Sequence, residues 1–135
     1  MLPSTCILLI DDDETIRDLV SAVLSDEGYR VVAVPDAESG LEALRTSPPK
    51  LILLDSMTHG RAHAAFVQEY ERFPAPRAPI YLFTAATDAE ETAGQLRLAG
   101  VLTKPFDIES LVELAVTHGC EKHATTPTRL DQAMP

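Results

Sequence analysis

CILLIDDDETIRDLVSAVLSDEGYRVVAV, residues 6–34, decides the fold. An apolar run of five residues meets three aspartates in succession, Asp11, Asp12 and Asp13. An amphipathic segment follows, with Ile16, Leu19, Val20, Val23 and Leu24 at i, i+3, i+4, i+7 and i+8, the spacing of one helical face. Asp13 suits the N-cap of that helix and Gly28 its stop. A second apolar run, RVVAV, then begins at Arg30. Both runs are apolar at nearly every position rather than at alternate ones. That suits strands covered on both faces, hence a parallel sheet with a helical crossover.

The same unit recurs along the chain. Further runs are LILL (51–54), IYLF (80–83) and VLT (101–103). Helical patterns lie between and after them, at about 37–45, 62–73, 88–100 and from Asp107 onward. The third predicted helix carries Phe66, Tyr70 and Phe73 on one side. The fourth has a thin stripe of Ala89, Ala93 and Leu96. The fifth is expected to bury Ile108, Leu111, Val112 and Ala115. Strict alternation of strand and helix implies right-handed crossovers and helices on both faces of a five-stranded parallel sheet. The predicted domain spans 5–119. Residues 120–135, CEKHATTPTRLDQAMP, are polar, lack an apolar period and are expected to form a flexible tail.

Composition narrows the function. The chain has 135 residues, enough for one domain with a substantial core. Eleven basic residues against 21 acidic ones leave a formal charge of −10, which argues against direct binding of nucleic acid or anionic lipid. No signal peptide and no membrane-length apolar run are visible. Cys6 and Cys120 have no metal-ligand spacing, and free thiols in a reducing cytosol are expected.

Ligands of parallel α/β sheets gather at the carboxyl ends of the strands. The first run ends at Asp11-Asp12-Asp13, the third at Asp55, the fourth at Thr84 and the fifth at Lys104, before Pro105. Only the second ends blandly, at Val34-Pro35. A strand order of 2-1-3-4-5 sets the bland strand at an edge and the other four side by side. Carboxylates converging on one spot repel unless a cation joins them, and an open shell of oxygen ligands suits Mg²⁺.

IDDDE, LILLD, FTA and TKPF, in this order and each at a strand end, resemble the receiver domain of bacterial two-component response regulators over about residues 5–118. The resemblance implies a flavodoxin-like receiver fold. It implies Mg²⁺ held directly by Asp12, through water by Asp11, by Asp55 and by the backbone carbonyl of Met57. Asp55 becomes the nucleophile that takes a phosphoryl group, Lys104 offsets charge on the phosphoryl oxygens, and Thr84 donates a hydroxyl hydrogen bond to one of them. The Lys-Pro bond of the family is usually cis. The implied donor is a phosphohistidine on a sensor histidine kinase or a phosphotransfer protein. The signal passes to a downstream protein through the face made by helix 4, strand 5 and helix 5. With no DNA-binding region in the sequence, the expectation is a stand-alone cytoplasmic receiver that catalyses only its own phosphorylation and slow dephosphorylation; a homodimer is left open.

The chain departs from the family pattern in three places. The loop after Asp55 holds His59 and His63 where a proline and a glycine are usual. The pair is spaced i, i+4, as metal ligands can be, though two solvated histidines are the plainer reading. The switch aromatic three residues before the lysine is Val101, which cannot swing between exposed and buried positions as a large ring does. Met57 and Ala86 stand two residues after Asp55 and Thr84, where the family positions the hydrolytic water; neither side chain holds water well, so slow decay of the phosphorylated state is expected.

Two other functions compete. Asp11-x-Asp13-x-Thr15 also resembles the first motif of haloacid-dehalogenase-type phosphatases, with Asp11 as nucleophile; that reading leaves Asp55 without a role and finds no second acidic pair after Lys104. A pseudo-receiver, with the same fold but binding partners without phosphorylation, is favoured by the altered loop and by Val101. Helix capping explains Asp13 and Asp107, but not Asp55 or Lys104.

Overall fold

A computed structural model describes residues 5–55, 62–85 and 87–122. Five strands and five helices alternate: β1 (Ile7–Ile10), α1 (Glu14–Asp26), β2 (Val31–Val34), α2 (Ala37–Thr46), β3 (Leu51–Leu54), α3 (Ala62–Tyr70), β4 (Ile80–Thr84), α4 (Ala89–Gln95), β5 (Gly100–Thr103) and α5 (Ile108–Thr117). The strands are all parallel and ordered β2-β1-β3-β4-β5, as expected.

Alternate side chains on each strand point to opposite faces, and two cores result. Ile7, Leu9, Leu51, Leu53 and Phe83 pack with Val20 and Leu24 of α1 and with Leu111 and Ala115 of α5. Leu8, Ile10, Ile52, Leu54 and Ile80 pack with Leu44 of α2 and with Phe66, Val67 and Tyr70 of α3. β1 and β3 are therefore buried at every position. The continuous apolar runs have their physical cause in this double coverage.

Asp13, Asp36 and Asp107 cap α1, α2 and α5, each accepting a backbone N–H of the first turn. Three helices end in the same way. In α1 the Tyr29 N–H donates to Leu24 O, in α4 Leu98 to Ala93 and in α5 Cys120 to Ala115. The residue before each of these, Gly28, Arg97 or Gly119, has positive φ. This is the Schellman closure, which turns the following side chain back toward the helix.

Three differences from the sequence reading stand out, and the closure accounts for the first two. First, α4 ends at Gln95 rather than near Gly100, because Arg97 takes the left-handed turn without being glycine. Second, Cys120 turns inward beside β1 and forms a disulfide with Cys6, the Cα atoms 5.3 Å apart. The expected free thiols are thus paired: the Gly119 turn sets Cys120 against the core of the α1 and α5 face. Third, two positions assigned to buried stripes are exposed, Leu19 at 47% and Ile108 at 52%. Leu19 lies about 100° around the helix from buried Val20, at the limit of the apolar arc. Ile108 opens α5 ahead of its buried pair, Leu111 and Ala115.

Candidate functional site: an acidic pocket at the strand ends

Four strand ends meet at one edge of the sheet, and the ladder fixes their backbones. Asp11 N–H donates to Val34 O at 3.0 Å, Asp55 N–H to Ile10 O at 2.9 Å, and Lys104 N–H to Thr84 O at 2.9 Å. Each residue is therefore held by the strand beside it, one position beyond or at the end of regular pairing.

The side chains of Asp11, Asp12, Asp55 and Lys104 come together. Asp11, Asp55 and Thr84 are buried, whereas Asp12 is exposed. One carboxylate oxygen from each of Asp11, Asp12 and Asp55 lies within 4.8 Å of the others. This trio could hold a metal ion, and hard oxygen donors with one member open to solvent fit Mg²⁺. Lys104 Nζ sits 2.7 Å from Asp11 Oδ2 and 3.7 Å from Asp55 Oδ1, bringing a cation to two buried carboxylates. It also lies 4.8 Å from the centre of the Phe83 ring, which shields one side of the ammonium. The Lys104–Pro105 peptide bond is cis. Every buried polar side-chain atom among the described residues has a hydrogen-bond partner.

Asp11 is the most constrained of the trio. Its Oδ1 accepts the Asp13 N–H at 2.9 Å, its Oδ2 accepts Lys104, and its carbonyl accepts Arg17 Nη1 at 2.9 Å. The sequence reading missed Arg17. Its partner is a backbone carbonyl, which no spacing of side chains marks. Met57, His59 and Ala86 lie outside the described residues, as does the chain beyond residue 122. His63 falls in α3 and is partly buried. Val101 is a partly buried residue of β5, paired with Leu82.

A five-stranded parallel sheet in the order 2-1-3-4-5, with helices on both faces, defines the flavodoxin-like class of α/β domains. Within that class the chain belongs to the response regulator receiver domain family, whose model matches residues 7–116. Among curated relatives, the transcriptional regulatory protein CseB of Streptomyces avermitilis is 32% identical over 114 residues, covering 83% of this chain and 48% of that protein. The phosphate regulon transcriptional regulatory protein PhoB of Escherichia coli is 32% identical over 109 residues, covering 78% of this chain and 48% of the relative. The chain thus spans about half the length of these relatives. Among solved structures, the receiver domain of NtrX from Brucella abortus superposes with a TM-score of 0.73 at 30% identity, covering 83% of this chain and 96% of that one. The chemotaxis response regulator CheY4 of Vibrio cholerae gives 0.72 at 24% identity, covering 86% and 99%, a likeness of fold.

Proposed function

We propose that this receiver accepts a phosphoryl group on Asp55 in a Mg²⁺-dependent reaction. The observation that carries the proposal is the setting of Asp55: buried, clustered with Asp11 and Asp12, and 3.7 Å from Lys104. An Asp55 oxygen attacks the phosphorus of a phosphohistidine on a sensor kinase or phosphotransfer protein. The P–N bond breaks, its electron pair stays on the imidazole nitrogen, and an aspartyl phosphate forms. Lys104 exchanges its contact with Asp11 for the phosphoryl oxygens, and the Thr84 hydroxyl donates to one of them. Asp12 and Asp55, with the Met57 carbonyl, would hold Mg²⁺ directly. Asp11, its two oxygens already accepting bonds, suits contact through water. The metal supplies charge neutralisation between carboxylate and phosphate. Engagement of both Asp11 oxygens also argues against Asp11 as a phosphatase-type nucleophile.

Residues 5–119 form the unit we assign to this reaction, in the cytoplasm. Its output runs through the face of α4, β5 and α5 to a protein partner. The test is intact mass after incubation with a small-molecule phosphodonor, with and without Mg²⁺, beside Asp55→Asn. A Mg²⁺-dependent gain of one phosphoryl group that Asp55→Asn abolishes is the expected result. A gain that survives in Asp55→Asn but not in Asp11→Asn would return the phosphatase-like chemistry. No gain in folded protein would make this a pseudo-receiver.

A further inference from the structure

Cys6 and Cys120 sit at the opposite end of the sheet from the acidic pocket, and nothing in phosphoryl transfer uses them. Cys6 precedes β1 and is 4% exposed, whereas Cys120 follows α5 and is only partly buried. Contacts other than the disulfide already bring Cys120 to this place. The left-handed Gly119 turns the chain, the Cys120 N–H closes on Ala115 O at 2.9 Å, and its side chain packs against the core of the α1 and α5 face. Beyond it the hold weakens. Lys122 Nζ is 4.0 Å from an exposed Glu27 carboxylate and 5.9 Å from the Tyr29 ring centre. Exposed pairs of that kind contribute little.

We propose that Cys6 and Cys120 form a reversible thiol–disulfide switch that fastens the end of α5, with residues 118–122, to β1 and the α1–β2 corner. The helix closure keeps the two thiols adjacent whether or not they are bonded. Bond formation is therefore an intramolecular step at high effective concentration. The bond governs anchorage rather than the fold.

The oxidant is a low-molecular-weight disulfide. The more exposed Cys120 thiolate, having lost its proton, attacks one sulfur of that disulfide, forming a mixed disulfide and releasing one small thiolate. Cys6, losing its own proton, then attacks the Cys120 sulfur and releases the second small thiolate. Two electrons pass from the cysteine pair to the small disulfide, and the two protons leave with its thiols. Reduction by a small thiol reverses both steps, with Cys120 again the accessible sulfur.

The test equilibrates the full chain in reduced and oxidised glutathione at stepped ratios, quenches with acid, alkylates and weighs the intact protein. One cooperative transition between a two-thiol and a disulfide form is expected, with both forms folded. The Cys6→Ser variant should accumulate a mixed disulfide at Cys120, while Cys120→Ser should take none at Cys6 until unfolded. The oxidised protein should melt about 10 °C above the reduced one, given the long loop closed, a difference absent in Cys120→Ser. Amide exchange across residues 115–122 should be slower in the oxidised form. Full alkylation of folded protein at every ratio would overturn the proposal. So would a bond whose presence changes neither the melting point nor exchange at the end of α5.

Discussion

Lys104 is hydrogen-bonded to Asp11 at 2.7 Å and stands a full ångström farther from Asp55. The lysine thus neutralises the more deeply buried of the two carboxylates. Lys104→Met should destabilise the protein by about 2–3 kcal/mol in the presence of a chelator, because a buried carboxylate loses its cation. Mg²⁺ should narrow the gap by supplying charge to the same cluster. Urea denaturation of both proteins, with chelator and with Mg²⁺, measures this. An equal gap in the two conditions would show that the loss lies in packing rather than charge.

Met57 should set the lifetime of the phosphorylated state in the proposed reaction. Asn in its place can orient an attacking water, so Met57→Asn should shorten the half-life of the aspartyl phosphate severalfold. Loss of the phosphoryl mass with time, compared between variant and parent, decides it; identical half-lives would refute the idea.

Gly40 places α2 directly against β1. A Cβ built there lies 2.5 Å from Ile10 Cδ1 and 3.3 Å from Phe66 Cε1. Alanine gains about 1 kcal/mol of helix propensity. Overpacking a buried isoleucine and phenylalanine costs about 1–3 kcal/mol, and that term should win. Gly40→Ala should therefore lower the melting temperature, unlike Gly94→Ala, whose Cβ meets nothing within 4 Å.

Arg97 occupies the left-handed turn after α4 with φ of 59°. Glycine removes the Cβ clash of that conformation but loosens the unfolded chain. The net effect of Arg97→Gly should be about 0.5–1 kcal/mol of stabilisation. Chemical denaturation reads it directly, and a destabilised variant would mean that the arginine side chain contributes contacts exceeding the strain.

Asp107 caps α5, and hydrogen bonds from the Ser110 backbone and side chain hold its carboxyl below its ordinary pKa. A lowered folded-state pKa gives stability that is present above the unfolded value and lost as pH falls through the folded one. Asp107→Asn keeps an acceptor but removes the titrating charge. The gap in melting temperature between parent and variant should be largest near neutral pH and shrink as the pH falls below the ordinary carboxylate range. A gap that holds constant to low pH would contradict this.

The residues that announce the fold are those whose burial is determined locally. Leu51 to Leu54 are apolar because helices cover both sides of β3, and the reading needs no knowledge of which helices. Asp11, Asp55, Thr84 and Lys104 were legible for a related reason: each ends an apolar run, and parallel strands bring such ends together. What escaped depended on the chain turning back. Arg97 ends α4 without glycine, so a pattern that continued to Gly100 gave no warning. Cys120 follows a glycine that signals an ending, yet the same turn aims its side chain at Cys6, 114 positions earlier in the sequence. Arg17 reaches a backbone carbonyl, which leaves no mark on side-chain periodicity.

The meeting of Cys6 and Cys120 also gives the domain a single doorway. Its first strand enters and its last helix leaves through points 5.3 Å apart, at the sheet end remote from Asp11 and Asp55. The extended run from Cys6 to Asp11, roughly 16 Å, separates that doorway from the acidic pocket. The domain could be spliced as one cassette into a surface turn of another protein, both junctions sharing one narrow stem. The pocket would then face outward, open to an incoming phosphodonor.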